Sequence, residues 1–333
     1  MKSVFNTPPP KFSKEEASQI ANDLFDINIY THDLVSDRDQ IFLCISDKKK
    51  YILKISNPAE KQLVLEMQNE AVKFIKRNNS DIGVPLQLDG IRSIESDGTI
   101  YYIRLLEYLD GTFLNNSKPD LPSYERLGKF LGSFSYSLVG FNHSAADREF
   151  DWDIRSTHLI YKRLNYLNSN EERNTIKYFL KKYESKVLPI KSKLRMSVIH
   201  NDGNDQNLLV NDTGETTGII DFGDMVYTYQ CSEIAVSMAY VALGKQDPMN
   251  YMYKVLTGYC SVFPLSVIEL KSLIYLVCIR LCISVTMSSW RSKLFPENKY
   301  LSVSQNDAWE FLKKIKNDDM ELWCNKLIRD CES

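Results

Sequence analysis

The chain predicts an α+β protein of two lobes. The first, residues 1–108, is built on a five-stranded antiparallel sheet with helices; the second, residues 109–333, is mostly helical. Three observations predict it. Between residues 35 and 108 short apolar runs alternate with polar turns, the pattern of paired strands. A turn-rich segment, Asn115-Asn-Ser-Lys-Pro-Asp-Leu-Pro122, interrupts the chain, and beyond it apolar residues recur mainly at helical spacing. With 333 residues, 44% of them hydrophobic, there is enough chain to bury two ordinary cores, and disorder is not the expected state.

In the first lobe, Ser13-Lys-Glu-Glu16 has capping-box spacing and opens an amphipathic helix to about residue 25. Residues 35–45 and 51–55 read as a hairpin around Ser46-Asp-Lys-Lys-Lys50, with Lys54 set among apolar neighbours on the second strand. Leu63, Met67, Phe74 and Ile75 recur at helical spacing through residues 59–77, and Glu66 and Glu70, four apart, share one face of that helix. Strands at 82–88, 91–95 and 99–108 complete the count of five, the last two joined by Ser96-Asp-Gly98.

In the second lobe, Leu127, Phe130, Leu131, Phe134, Leu138 and Phe141 form a core-facing stripe. Asp151-Trp152-Asp153 precedes a helix over 155–167; it reads as an N-cap with a packed indole, or as a wall that takes a cationic amine between ring face and carboxylate. Further helices are expected over 171–188, 229–243, 250–259, 265–290 and 303–330. Arg280 interrupts the apolar run from Leu273 to Met287, which falls short of a membrane span and reads as a buried core helix. A buried arginine must be paired, either with an internal acid or with the carboxylate of a bound molecule.

Formal charge is −2, so no basic field points to nucleic acid or to an anionic membrane, and a small-molecule partner is favoured. Seven cysteines, an odd number with no Cys-x-x-Cys pair, indicate neither a disulfide framework nor a zinc site. The N-terminal residues are too poor in apolar sequence for a signal peptide, and a cytoplasmic protein is expected.

The chemistry is carried by two short apolar strands. Val198-Ile-His200-Asn-Asp202-Gly-Asn-Asp-Gln-Asn207-Leu-Leu-Val210 and Gly218-Ile-Ile-Asp221-Phe-Gly-Asp224, joined through the Asn211-Asp-Thr-Gly214 turn, deliver carboxylates and amides to one end. Singly, Asp-Phe-Gly reads as a turn, Asn207 as a cap and His200 as a structural histidine. Jointly they have the spacing of the catalytic loop and the metal-binding segment of protein kinases. In-line phosphoryl transfer asks for a carboxylate that orients the attacking hydroxyl and accepts its proton, and for oxygen ligands on Mg2+. Asp202 fits the first role, Asn207 and Asp221 the second. For the nucleoside triphosphate, Lys54 is the candidate partner of the α- and β-phosphates, with Glu66 or Glu70 to hold it. No glycine occurs before Gly83; the turn Ser36-Asp-Arg-Asp-Gln40 stands in place of a glycine-rich loop, offering backbone N–H groups, the Ser36 hydroxyl and Arg38, and reads equally as an ordinary polar turn. The backbone around Leu106 and Tyr108, at the lobe boundary, is the candidate seat for the base.

With these residues the chain resembles the aminoglycoside phosphotransferase and choline kinase superfamily, the small-molecule relatives of protein kinases, over nearly its whole length. His200–Asn207 and Asp221–Tyr227, with Asp37-Arg-Asp-Gln40, Arg104-Leu-Leu-Glu-Tyr-Leu-Asp-Gly111 and Trp152-Asp153, look most like its hydroxylysine kinase branch. The resemblance implies a protein kinase-like two-lobe fold and transfer of the γ-phosphoryl group of GTP (or ATP), with Mg2+, to the side-chain hydroxyl of 5-hydroxy-L-lysine in lysine catabolism. Choline, homoserine, methylthioribose or an aminoglycoside are the alternative acceptors, and a non-catalytic nucleotide-binding pseudokinase the alternative of another class. A substrate with two ammonium groups asks for carboxylates near Asp202, and Asp224, Asp153 and Glu233 are the candidates, with Trp152 beside them and Arg280 for a substrate carboxylate. The family pattern often has glycine at position 201 and an acid at position 38, where this chain has Asn201 and Arg38. The arginine that precedes the catalytic acid of protein kinases is absent, as is their long activation segment, so a protein substrate is disfavoured.

Overall fold

The Ser13 hydroxyl accepts the Glu16 N–H while the Glu16 carboxylate takes the Ser13 N–H, and this reciprocal cap starts α1 (Lys14–Phe25) in a computed structural model that describes residues 3–46, 49–298 and 305–329. The chain divides into two compact units, Met1–Lys73 with Gly83–Asp110, and Phe74–Ile82 with Gly111–Ser333.

The first unit holds α1, β1 (Tyr30–Leu34), β2 (Gln40–Ile45), β3 (Lys50–Ile55), the start of α2 (Gln62–Asn78), β4 (Arg92–Ser96) and β5 (Thr99–Glu107). The five strands form one antiparallel sheet in the order β1-β2-β3-β5-β4. Phe42, Cys44, Leu53, Ile55, Ile103 and Leu105 of the sheet pack with Ala17 and Ala21 of α1 into its core. Register sets Lys54 opposite Ile41 on one side and Arg104 on the other.

The strand count is as expected, but its membership differs. β1 buries only Thr31, so it has no apolar alternation to betray it. Residues 82–88 make only an isolated bridge, Gln87 to Leu106, because Pro85 has no N–H for a regular ladder. The strand expected from residue 35 starts at Gln40; Val35 is exposed and the Asp39 carboxylate instead caps the Asn57 N–H at 3.0 Å. Residues 47 and 48 of the expected hairpin turn lie outside the described residues.

Besides the end of α2, the second unit holds β6 (Thr112–Phe113), α3 (Leu121–Ser137), α4 (Thr157–Arg163) and α5 (Asn170–Lys186). Four short strands follow: β7 (Met196–Ile199), β8 (Leu208–Val210), β9 (Thr216–Ile219) and β10 (Val226–Tyr229). Helices α6 (Ser232–Val241), α7 (Pro248–Val262), α8 (Val267–Leu294), α9 (Gln305–Asn317) and α10 (Met320–Arg329) complete it. α3 and α7 touch backbone to backbone: a Cβ on Gly128 or Gly258 would lie 2.0 Å from the carbonyl oxygen of Val255 or Glu125. That close approach seats α3, whose Phe134 reaches the site below.

α8 is long and apolar enough to cross a membrane, but 94% of its most apolar stretch is buried inside the protein, the arrangement of a core helix. The single helix expected over 303–330 is two helices, broken where Asp319 accepts the Glu321 N–H at 2.9 Å; residues 303, 304 and 330 lie outside the described residues. Six cysteines are free thiols, and Cys331 lies outside the described residues.

Candidate active site

Strand pairing builds the site. β7 pairs with β10, setting Ile199 opposite Val226, and β8 pairs with β9, setting Leu208 opposite Ile219. The polar loop 200–207 therefore runs beside the turn 220–225, and the Ile220 N–H donates to the Asn207 carbonyl at 2.9 Å. Asp221 follows immediately, in the left-handed region at φ 62°.

His200 clamps the two segments. Its Nε2 lies 3.0 Å from the Ile220 carbonyl and its Nδ1 accepts the Asp202 N–H at 3.2 Å, which assigns the proton to Nε2. Its ring meets Phe222 edge-on at 4.8 Å and Phe134 at 5.9 Å. Complete burial pushes the imidazole down to about 4, so His200 is a neutral structural group. Because this pKa is depressed on folding, the unfolded chain takes up the proton first. Stability from this group is present above pH 6.5 and is lost as the pH falls toward 4, by roughly 3 kcal/mol in all. Denaturant midpoints measured across that interval are expected to fall, and to fall less steeply in His200→Gln.

Asp202 is held on both oxygens. Oδ1 accepts from Arg280 at 2.7 Å and from the Asn204 amide at 2.9 Å; Oδ2 accepts from the Asn207 amide nitrogen at 2.6 Å. Burial raises its carboxyl to about 7, Arg280 pulls it down, and Asp224 and Asp221 push it up again. Asn207 also gives its amide nitrogen to the Asp202 carbonyl at 3.0 Å, so the side chain is turned with its carbonyl oxygen away from Asp202. Asp221 accepts the Gly223 N–H at 3.4 Å, and Arg148 donates to the carbonyls of Gly223 and Met225 at 2.8 and 2.9 Å, pinning the turn.

Asn201 occupies the left-handed region at φ 67°, a conformation glycine takes freely and asparagine tolerates. Its side-chain amide donates to the carbonyls of Trp152 and Asp224, both at 3.3 Å, a tie that glycine has no atoms to make.

Two carboxylates expected to face a substrate do not. Glu233 is fully enclosed at the start of α6 and accepts the His200 N–H at 2.6 Å, supporting the loop from beneath; burial raises it to about 7. Asp153 is enclosed as well, accepting from Arg155 Nε at 2.9 Å and from the Thr228 hydroxyl at 2.7 Å. Asp151 pairs with Arg163. Trp152 keeps a partly exposed indole, with the Arg280 guanidinium 4.4 Å from its ring, and Asp224 is buried next to Asp202 in the electrostatic sense that it raises the Asp202 carboxyl. Arg280 has found an internal acid, Asp202 itself.

In the first unit the Lys54 ammonium is buried 3.6 Å from Asp39, a partner unmarked in the sequence except by its place just before the strand. Glu66 accepts from Gln62 of its own helix at 2.9 Å, and Glu70 is exposed on the same helix. Ser36 is half-buried in the turn before β2, where Arg38 stacks on Phe5 at 5.0 Å. Leu106 is buried on β5 opposite Ile52, and the Tyr108 ring lies under the Lys50 ammonium at 5.0 Å.

The chain is 28% identical to hydroxylysine kinase of Mus musculus, covering 92% of this chain and 90% of that one, and 28% identical to hydroxylysine kinase of Xenopus laevis, covering 94% and 92%. Among solved structures, a microcompartment-associated aminopropanol kinase superposes with a TM-score of 0.72 at 16% identity, covering 90% of this chain and 98% of that one. An amicoumacin kinase in complex with AMP-PNP and Ca2+ gives 0.66 at 14% identity, covering 86% and 88%. These likenesses are of fold, the protein kinase-like fold. The phosphotransferase enzyme family matches residues 34–266, well over half of the sequence, and the chain belongs to that family.

Proposed function

We propose that this phosphotransferase moves the γ-phosphoryl group of GTP, or of ATP, to the side-chain hydroxyl of 5-hydroxy-L-lysine. The observation that carries the reading is the way Asn207 is spent: its amide nitrogen is given to Asp202, which leaves its carbonyl oxygen to pair with the Asp221 carboxylate as a hard-cation donor set. Among the described residues no group of three or more His, Cys, Asp or Glu is gathered as a metal site. An amide oxygen and a carboxylate fit a hard cation such as Mg2+, which takes most of its ligands from phosphates and water. When bound, such an ion neutralises charge on the phosphates.

Asp202 orients the acceptor hydroxyl and takes its proton as the new P–O bond forms. Lys54, held by Asp39 and backed by Glu66 or Glu70, serves the phosphates, with the Ser36 turn beside it and the Leu106 and Tyr108 backbone under the base. Trp152 and Asp224 serve the ammonium groups of the acceptor, since Glu233 is fully enclosed beneath the loop and Asp153 is engaged by Arg155 and Thr228. The names of the relatives support hydroxylysine as the acceptor, and with it a step of lysine catabolism; the odd number of scattered cysteines fits a cytoplasmic enzyme.

Nucleoside diphosphate release, measured with Mg·GTP and Mg·ATP over 5-hydroxy-L-lysine, choline, homoserine, methylthioribose and kanamycin, tests the reading. The expected result is a kcat/KM for 5-hydroxy-L-lysine at least ~100-fold above the others, with GTP the better donor and no turnover on lysine, which lacks the hydroxyl. Highest turnover on another acceptor would reassign the substrate, and nucleotide binding without turnover on any would make the chain a non-catalytic binding module.

A further inference from the structure

We propose that Arg280, brought from the middle of α8, is a positioning residue that decides which oxygen of Asp202 faces the substrate. The inference rests on Asp202 being the proton acceptor. A carboxylate oxygen has two lone pairs in the plane of the group. Arg280 Nη2 at 2.7 Å and Asn204 Nδ2 at 2.9 Å use both lone pairs of Oδ1. Among the described residues Oδ2 has one donor, Asn207 Nδ2 at 2.6 Å. One lone pair, on Oδ2, is left for the attacking hydroxyl.

Arg280 suits this task because it cannot drift. Its side chain is 1% exposed, against 20% for Asp202. A second nitrogen, Nη1, donates to the Asn201 carbonyl at 3.2 Å and to the Trp152 carbonyl at 3.5 Å. The guanidinium carbon lies 4.4 Å from the centroid of the Trp152 ring and 5.5 Å from that of Tyr240. One planar cation thus ties together the backbone just before the acceptor, the acceptor's own oxygen and the Trp152 segment. Lysine, a point donor on a flexible stem, cannot make all three contacts at once.

The variants R280K and N204A, with D202N and the double variant R280K/D202N, test this with Mg·GTP and the best acceptor from the panel above. R280K is expected to lower kcat ~100-fold and N204A ~10-fold, with nucleotide affinity and the acceptor KM within about threefold of the parent. In the D202N background R280K should cost no further activity, because the group it positions is gone. Crystal structures of the parent and of R280K should show the Asp202 carboxylate plane turned in the variant. An equal R280K loss with and without Asp202, an unchanged N204A, or an Asp202 carboxylate in its parental orientation in R280K would each overturn the proposal. If D202N itself retains turnover, the failure belongs to the assignment of the acceptor; if D202N collapses while R280K does not, it belongs to this inference alone.

Discussion

Asp202→Asn is expected to lower kcat by about three orders of magnitude while the affinity for nucleotide changes by less than about tenfold. The amide oxygen of the variant keeps the place of Oδ1 against Arg280 and Asn204, so the buried guanidinium stays paired and the fold survives. What is lost is the lone pair on Oδ2, replaced by an N–H that cannot accept a proton. The new amide nitrogen also faces the Asn207 amide nitrogen across the 2.6 Å contact, and two donors cannot share it. Asn207 is then expected to rotate its carbonyl inward, and the Mg2+ concentration for half-maximal rate should rise with the fall in kcat. Steady-state kinetics with Mg2+ varied separate the two effects. A raised Mg2+ requirement at undiminished kcat would assign Asp202 to the metal, and no change in either would remove it from the site.

The parts of this site that could be read from the chain are those whose geometry is local. His200, Asp202, Asn207 and Asp221 sit on the ends of adjacent short strands, so spacing along the chain fixes them in space, and the Ser13–Glu16 cap is local in the same way. The roles that changed depend on partners distant in sequence. Glu233 and Asp153 looked like free carboxylates because nothing nearby in the chain announces the His200 N–H or the Thr228 hydroxyl that engage them. Arg280 could be recognised as buried from its apolar helix, but that its acid is Asp202, 78 positions earlier, is a property of the packed unit. The sheet shows the same division. β3 and β5 bury apolar residues and are legible, whereas β1 buries one threonine and is held by its ladder to β2 and by polar ties to α1, the Thr31 hydroxyl donating to the Lys14 carbonyl at 2.8 Å.

Asp221→Asn is expected to abolish the Mg2+ dependence of nucleotide binding and to lower kcat/KM by about three orders of magnitude. The variant isolates charge from backbone geometry. Asparagine is among the few residues that adopt the left-handed conformation at φ 62° readily, and its amide oxygen can still accept the Gly223 N–H, so the turn after β9 keeps its shape. Arg148 continues to hold the carbonyls of Gly223 and Met225. The negative charge that would meet a divalent cation is removed while the shape of the turn is kept. Asp221→Ala should add a backbone penalty of about 1 kcal/mol, since its methyl group is disfavoured in that region and the Gly223 N–H loses its acceptor. Titration of a fluorescent nucleotide with Mg2+ and again with excess chelator reads the difference: the parent should bind more tightly with the metal, and Asp221→Asn equally in both. A parental Mg2+ dependence in the variant would place the cation elsewhere and leave Asp221 as the cap of its own turn.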